Sequence, residues 1–207
     1  MTLSMTYKAS LNILSGRPFG GIAIRWRKNL SNFSIINSKD ENTGRFVSVT
    51  INNYFSQSVV ISCAYFPWFV NKLDYLVDAS AVIACIDNIL ALNNNCWHLI
   101  GGDFNFVCAP FNNNFGYSIF ADVISDYNLI CCDKYVSNGN HTYQHDSLGH
   151  YSLLDHFFIS SNMRSFMQSS EILDTGINTS DYLPICICIA YGANAASLVL
   201  VLLILLG

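Results

Sequence analysis

Three apolar runs in this chain each meet an aspartate at a turn, and that arrangement restricts the fold more than any other feature. Trp97-His98-Leu99-Ile100 runs into Gly101-Gly102-Asp103-Phe104-Asn105, Asp155 opens Asp155-His156-Phe157-Phe158-Ile159, and Asp181 in Ser180-Asp181-Tyr182-Leu183-Pro184 precedes Ile185 to Ile189. Apolar stretches of this length bounded by turn residues read as buried strands. Strand ends that carry carboxylates present them at the rim of a packed sheet, where ligand sites form. Several aspartates at such a rim suit the cleavage of a phosphodiester. That reaction needs a water activated beside a carboxylate, a cation to neutralise the phosphoryl oxygens, and fixed donors around them.

The rest of the chain alternates strand and helix patterns. Gly21 to Trp26, Phe46 to Ile51, Ser58 to Tyr65, Trp97 to Gly101, Leu153 to Ile159 and Leu183 to Ile189 read as strands. Asp74 to Leu92 repeats apolar residues at helical spacing, with Leu76, Val77, Ala81, Ile83, Ala84, Ile86 and Leu90 expected to face a sheet. Tyr117 to Tyr127 reads as a second helix, and the asparagines at 93–95 and 112–114 punctuate loops. At 207 residues the chain suits one domain with a substantial core, an α/β fold of packed layers.

Charge narrows the function classes. Asp, Glu, Lys and Arg make up 12% of the chain and the net charge is -4, so the protein offers no general electrostatic attraction to nucleic acid. Any DNA contact must come from a local patch. Arg25, Arg27 and Lys28 around Trp26 form one small basic-aromatic grouping, a pattern more common at solvated strand ends. The first residues lack a continuous apolar run of the secretory type, so the eight cysteines are expected in a reducing, intracellular setting, with Cys85, Cys96, Cys108, Cys131, Cys186 and Cys188 in their apolar runs expected as buried free thiols. No C-x-x-C pair supports zinc, and His141, His145 and His150 read as loop histidines.

The ordered segments Gly-Asp-Phe-Asn (102–105), Ser152-Leu153-Leu154-Asp155 and Ser180-Asp181-Tyr182 resemble the signatures of the endonuclease/exonuclease/phosphatase family, and in detail the endonuclease domain of LINE-type (non-LTR) retrotransposons. Cys63-Ala64-Tyr65-Phe66-Pro67 and His141-Thr142-Tyr143 are similar to two further family segments. The resemblance spans residues 16–190, leaving 1–15 as a non-family leader and 191–207 as an apolar tail. It implies a four-layer α/β sandwich of two packed β-sheets with outer helices. The implied activity is Mg²⁺-dependent phosphodiester hydrolysis, the nicking of DNA that primes reverse transcription. By resemblance Asp103 orients or deprotonates the water, Asn105 and Tyr65 donate to the phosphate, Thr142 supports that shell and Asp181 helps hold the metal; Ser180 of the same motif is a further site candidate that also reads as a plain cap or turn before Asp181.

Two departures set this chain apart. Where the family has a histidine that works with a buried aspartate, here Asp155, this chain has Tyr182. A phenol titrates near pH ~10 and an imidazole near ~6.5, so Tyr182 supplies a neutral hydrogen bond and no imidazolium at neutral pH. The family also carries an asparagine and a metal-binding glutamate upstream of a segment like Gly16-Arg17-Pro18-Phe19-Gly20-Gly21, and residues 1–15 contain no Glu; the first is Glu41. A domain truncated at its amino-terminus, with impaired activity, is the expectation.

The carboxy-terminal tail leaves two uses open. Ser197 to Leu206 is continuously apolar, but Ala193 to Leu206 as a helix would reach only about 21 Å against a hydrocarbon core of roughly 30 Å. Extension upstream through residues 183–207 would make a membrane anchor at the expense of the strand after Asp181. The sequence therefore carries three functional readings: a degenerate endonuclease, a non-catalytic nucleic-acid- or protein-binding remnant, and a small membrane-associated protein.

Overall fold

The computed structural model describes residues 22, 24, 34–40, 44–52, 57–108, 114–136, 139–145, 147–174, 180–190 and 198–202. The glycine-rich segment at 16–21, most of the strand expected at 21–26 with its basic cluster, and Glu41 lie outside them. The chain divides into two compact units, one of Met1–Ile100 with Ile204–Gly207 and one of Gly101–Leu203.

In the first unit, β1 (Ser34–Asp40), β2 (Phe46–Asn52) and β3 (Val59–Tyr65) form an antiparallel meander. The start of β4 (Trp97–Asp103) joins beside β3, where the Trp97 amide donates to the Ser58 carbonyl at 2.9 Å. β3 is buried almost throughout, as its run of β-branched residues requires. Helix α1 (Lys72–Leu92) begins two residues earlier than expected because Asn71 caps it, its side chain accepting from the amides of Leu73 and Asp74 at 3.1 and 3.0 Å.

The buried face of α1 corrects the expectation. Tyr75, Ala79, Val82, Ile86, Ile89 and Leu90 point inward, while Val77 is 64% exposed and Ala84 also faces outward. Of the expected set only Ile86 and Leu90 are buried. The helix is apolar nearly all round, so spacing alone does not select a face and tertiary packing does.

In the second unit, β8 (Asp155–Ser160) lies between the end of β4 and the short β5 (Leu129–Cys131), to which it pairs antiparallel. Helix α2 (Phe115–Asp126), expected at Tyr117, is also started by an asparagine: Asn114 accepts from the Gly116 amide at 3.0 Å. Its Phe120 joins Phe104, Phe106, Phe158 and His156 in a ring cluster with centroids 4.9 to 6.2 Å apart. A hairpin of β6 (Tyr143–His145) and β7 (His150–Ser152) precedes β8.

A separate antiparallel sheet is built from β9 (Met167–Ile172), β10 (Ile185–Ile189) and β11 (Leu198–Leu202) in the order β11-β10-β9. Part of the apolar tail is thus a strand, Leu198 to Leu202 paired with Ile189 to Ile185. The six strands β1, β5, β6, β7, β9 and β11 go beyond the expected elements. β5, β6 and β7 are three residues long, too short for a period to register. β9 is rich in polar residues, and β1 has none of the unbroken apolar character of β3.

Candidate active site

Backbone hydrogen bonds within the second unit draw three of the sequence segments together. β4 ends at Asp103, whose Oδ1 accepts from the Asn105 amide at 2.9 Å, while Asn105 adopts a left-handed backbone with φ 50°. Asp and Asn favour this turn because a short polar side chain closes it locally. Between them, the Phe104 amide donates to the Leu154 carbonyl at 2.9 Å, joining the turn to the residue before Asp155.

Thr142 is the keystone. It is fully buried, and its Oγ1 accepts from the amides of Leu154 and Asp155 at 3.0 and 3.1 Å. Its own carbonyl accepts from the Leu183 amide at 2.7 Å, and the Gln144 amide donates to the Asp181 carbonyl at 2.8 Å. Tyr143 and Tyr182 form a bridge between the two backbones, with ring centroids 5.0 Å apart. Segments 103–105, 142–144, 154–155 and 181–183 therefore meet at one place, although up to about 80 residues separate them in sequence.

The side chains there differ sharply in environment. Asp103 and Asp155 are 1% and 3% exposed, whereas Asp181 lies at the surface. Among the described residues Asp103 Oδ2 and both carboxylate oxygens of Asp155 are buried without a hydrogen bond. Burial pushes Asp155 up to about 7, offset in part by the nearby Thr142 hydroxyl and the charge of His156. Burial and then the repulsion of Asp155 drive Asp103 well above the ordinary carboxylate range, against the pull of the Asn105 amide and of His156. The two carboxyl groups thus share a dry site that disfavours ionising both. Ser180 is exposed, and its Oγ accepts from the Tyr182 amide at 3.2 Å, a turn-closing contact.

Tyr65 belongs to the first unit. It closes β3 and carries the Arg45 guanidinium over its ring at 5.1 Å.

Sequence reasoning passed over His156 and Asp133. His156 is wholly buried in the phenylalanine cluster, its Nδ1 2.8 Å from Asp133 Oδ2 and its Nε2 2.6 Å from the Phe106 carbonyl. Burial alone would lower its proton affinity; Asp133 and the Phe106 carbonyl outweigh that and hold it at about 9. A buried histidine beside Asp155 was visible in the sequence, but its partner across the fold was not. The eight cysteines are free; Cys63 and Cys132 are buried, and the other six, against expectation, are half-buried. The histidines of the β6–β7 hairpin join no ligand cluster among the described residues.

Asp103, Asp155 and Asp181 offer a hard cation oxygen donors of the right kind, although the three do not gather into one ligand cluster among the described residues. Mg²⁺ takes one or two protein carboxylates and keeps water and phosphate oxygens for the rest. Asp181, exposed at the rim, offers one such ligand, and the unpartnered oxygens of the buried pair are acceptors with the same preference.

No protein-family model matches the chain, and no curated protein matches it by sequence. Solved structures do. The chain is similar to the 3′ phosphatase NExo from Neisseria bound to a product DNA hairpin, with a TM-score of 0.61 and 12% identity over 77% of this chain and 72% of that one. It is also similar to the endonuclease domain of TRAS1, a telomere-specific non-LTR retrotransposon, with a TM-score of 0.54 and 15% identity over 77% of this chain and 68% of that one. An endonuclease/exonuclease/phosphatase family protein from Leptotrichia buccalis gives a TM-score of 0.50 and 18% identity over 70% of this chain; the chain spans 53% of that protein's length. The fold is that of the endonuclease/exonuclease/phosphatase proteins, a layered α/β sandwich.

Proposed function

We propose that this chain carries a degenerate retrotransposon-type endonuclease site, built for divalent-cation-dependent hydrolysis of DNA phosphodiesters and weakened at position 182. The observation that supports it is the pair of buried carboxyls, Asp103 and Asp155, with unpartnered oxygens at the meeting point of the family-like segments. A buried carboxylate without a partner costs stability, and such groups persist where function selects them.

Asp103 is the group suited to take a proton from an attacking water. One of its oxygens is fixed by the Asn105 amide, the other is buried without a hydrogen-bond partner, and burial raises its affinity for a proton above that of an ordinary carboxylate, which strengthens it as a base. The Asn105 turn holds that carboxylate in one orientation. Thr142 acts as a positioning residue, because its hydroxyl is engaged with the amides of Leu154 and Asp155 and holds the start of β8. A hard cation bound at Asp181 would supply charge neutralisation at the phosphoryl oxygens. Asp155 would orient a histidine at 182 in the resembled family; with Tyr182 the pair lacks an imidazolium, and the transition state loses assistance commonly worth about 10² to 10⁴ in rate.

The same Tyr182 favours a second reading, a non-catalytic nucleic-acid- or protein-binding remnant. Supercoiled-plasmid nicking in Mg²⁺ or Mn²⁺ separates the two. Slow nicking that disappears in Asp103→Ala supports the degenerate enzyme. DNA retention without any Asp103-dependent nicking, in both the chain and Tyr182→His, moves the assignment to the remnant. Fast nicking by the unaltered chain overturns the degeneracy.

A further inference from the structure

A second cluster in the same unit has a different chemistry. Cys108, a few residues past the Asp103-Phe104-Asn105 turn, Cys131 at the end of β5, and Asp133 in the helical turn that follows each bring one ligand atom to within 4.8 Å of the others. All three residues are half-buried and the thiols are free. Zinc binds sulfur at about 2.3 Å and carboxylate oxygen at about 2.0 to 2.2 Å, so the edges of its tetrahedron run about 3.5 to 3.8 Å, inside the observed spacing. Two thiolates select a borderline-soft cation over Mg²⁺ or Ca²⁺.

His156 completes the arrangement from outside. Both of its nitrogens face oxygen, Nδ1 the Asp133 carboxylate at 2.8 Å and Nε2 the Phe106 carbonyl at 2.6 Å, so the ring is not available as a ligand. It fixes the Asp133 carboxylate instead, as outer partners commonly fix the ligands of metal sites. The Cys132 amide donates to the Phe157 carbonyl at 2.8 Å, which holds the segment bearing Cys131 and Asp133 against β8.

We propose that Cys108, Cys131 and Asp133 form a zinc-type site with water in the fourth position and His156 as the positioning residue for Asp133. Bound metal ties the segment that follows the Asp103-Asn105 turn to the end of β5. The site is separate from the hard-cation position at Asp181 and does not depend on the endonuclease reading.

The test uses the whole chain, purified under reducing conditions without chelator. Mass-spectrometric metal analysis should find about one equivalent of zinc, and the Co²⁺-substituted protein should show thiolate-to-cobalt charge transfer with the strong visible bands of tetrahedral cobalt. Cys108→Ser and Cys131→Ser should each lose most of the charge-transfer intensity. Asp133→Asn should weaken zinc affinity by about 10- to 100-fold, and Cys96→Ser should change nothing. A readout free of folding-defective variants is the reactivity of the native thiols: two should be protected in the zinc form and released on chelation. Absence of a stoichiometric soft metal with Cys108 and Cys131 fully reactive, a Cys108–Cys131 disulfide in the freshly reduced and desalted protein, or metal retained by the folded double serine variant would each overturn the proposal.

Discussion

Replacing Asp155 with Asn should stabilise this protein in alkali and not in acid. Asp155 is 3% exposed, neither of its oxygens is hydrogen-bonded among the described residues, and burial raises its pKa from 3.8 to about 7. The folded chain therefore holds this proton more tightly than the unfolded chain. The associated stability is fully present below the unfolded value and is lost as pH rises through the folded one. At about 1.4 kcal/mol per pKa unit, a rise of roughly three units sets a ceiling of about 4 kcal/mol. Repulsion from Asp103 makes the two carboxyls titrate as a pair and spreads the loss over a wider pH range. Asn removes the ionisation but brings amide hydrogens of its own, which cost about 1 to 3 kcal/mol if left unpaired. The expected net is a gain of about 1 to 3 kcal/mol near pH ~8 and a loss of about 1 kcal/mol near pH ~4.5. Urea unfolding followed by tryptophan fluorescence at a series of pH values measures it. A difference between variant and parent that stays constant with pH, or that disfavours the variant more in alkali, would refute the reasoning.

Thr142→Val keeps the shape of the side chain but strands the amides of Leu154 and Asp155, at about 2 to 4 kcal/mol, while Thr142→Ser should stay within about 1 kcal/mol; urea midpoints rank the three proteins. Gly139→Ala should cost about 1 to 2 kcal/mol or more, since φ is 74° and the new methyl would meet Ile172 Cδ1 at 3.2 Å, whereas Gly149→Ala, with φ 62° and open space, should cost less; thermal midpoints separate them. Asn114→Ala removes the cap of α2 and should cost about 1 kcal/mol by the same measurement. Tyr182→His should raise the rate of supercoiled-plasmid nicking, with the about 10² to 10⁴ that general acid–base assistance commonly contributes as the ceiling, and an unchanged rate would count against the role given to position 182.

The parts of the fold that were legible in sequence are those where one property dominates a long enough segment. The apolar runs that became β2, β3, β4, β8 and β10 fall within two residues of their expected limits, and α1 and α2 are displaced only where an upstream asparagine takes the cap. The buried face of α1 was not legible, since apolar residues surround the helix and tertiary packing decides. For the candidate site, what the order of Asp103, Thr142, Asp155 and Asp181 anticipated is that the segments bearing them meet. What order could not convey is that Asp103 and Asp155 are buried while Asp181 is exposed. The Cys108, Cys131 and Asp133 cluster was invisible for another reason: its members come from a loop, a strand end and a helical turn, and no local spacing records their meeting. The ion pair of His156 with Asp133 is hidden in the same way.

By this proposal the site keeps its buried carboxyl pair and has Tyr182 where the resembled family has an imidazole. Carbon-13 NMR titration of the aspartate carboxyl groups, in the native chain and in Tyr182→His, tests it most directly. The account predicts that Asp155 in the native chain titrates near 7, with Asp103 also displaced upward, and that the histidine variant lowers the Asp155 value as an imidazolium pairs with it. An Asp155 carboxyl that titrates in the ordinary range near ~4 in the native chain, or one that does not respond to histidine at 182, would contradict it.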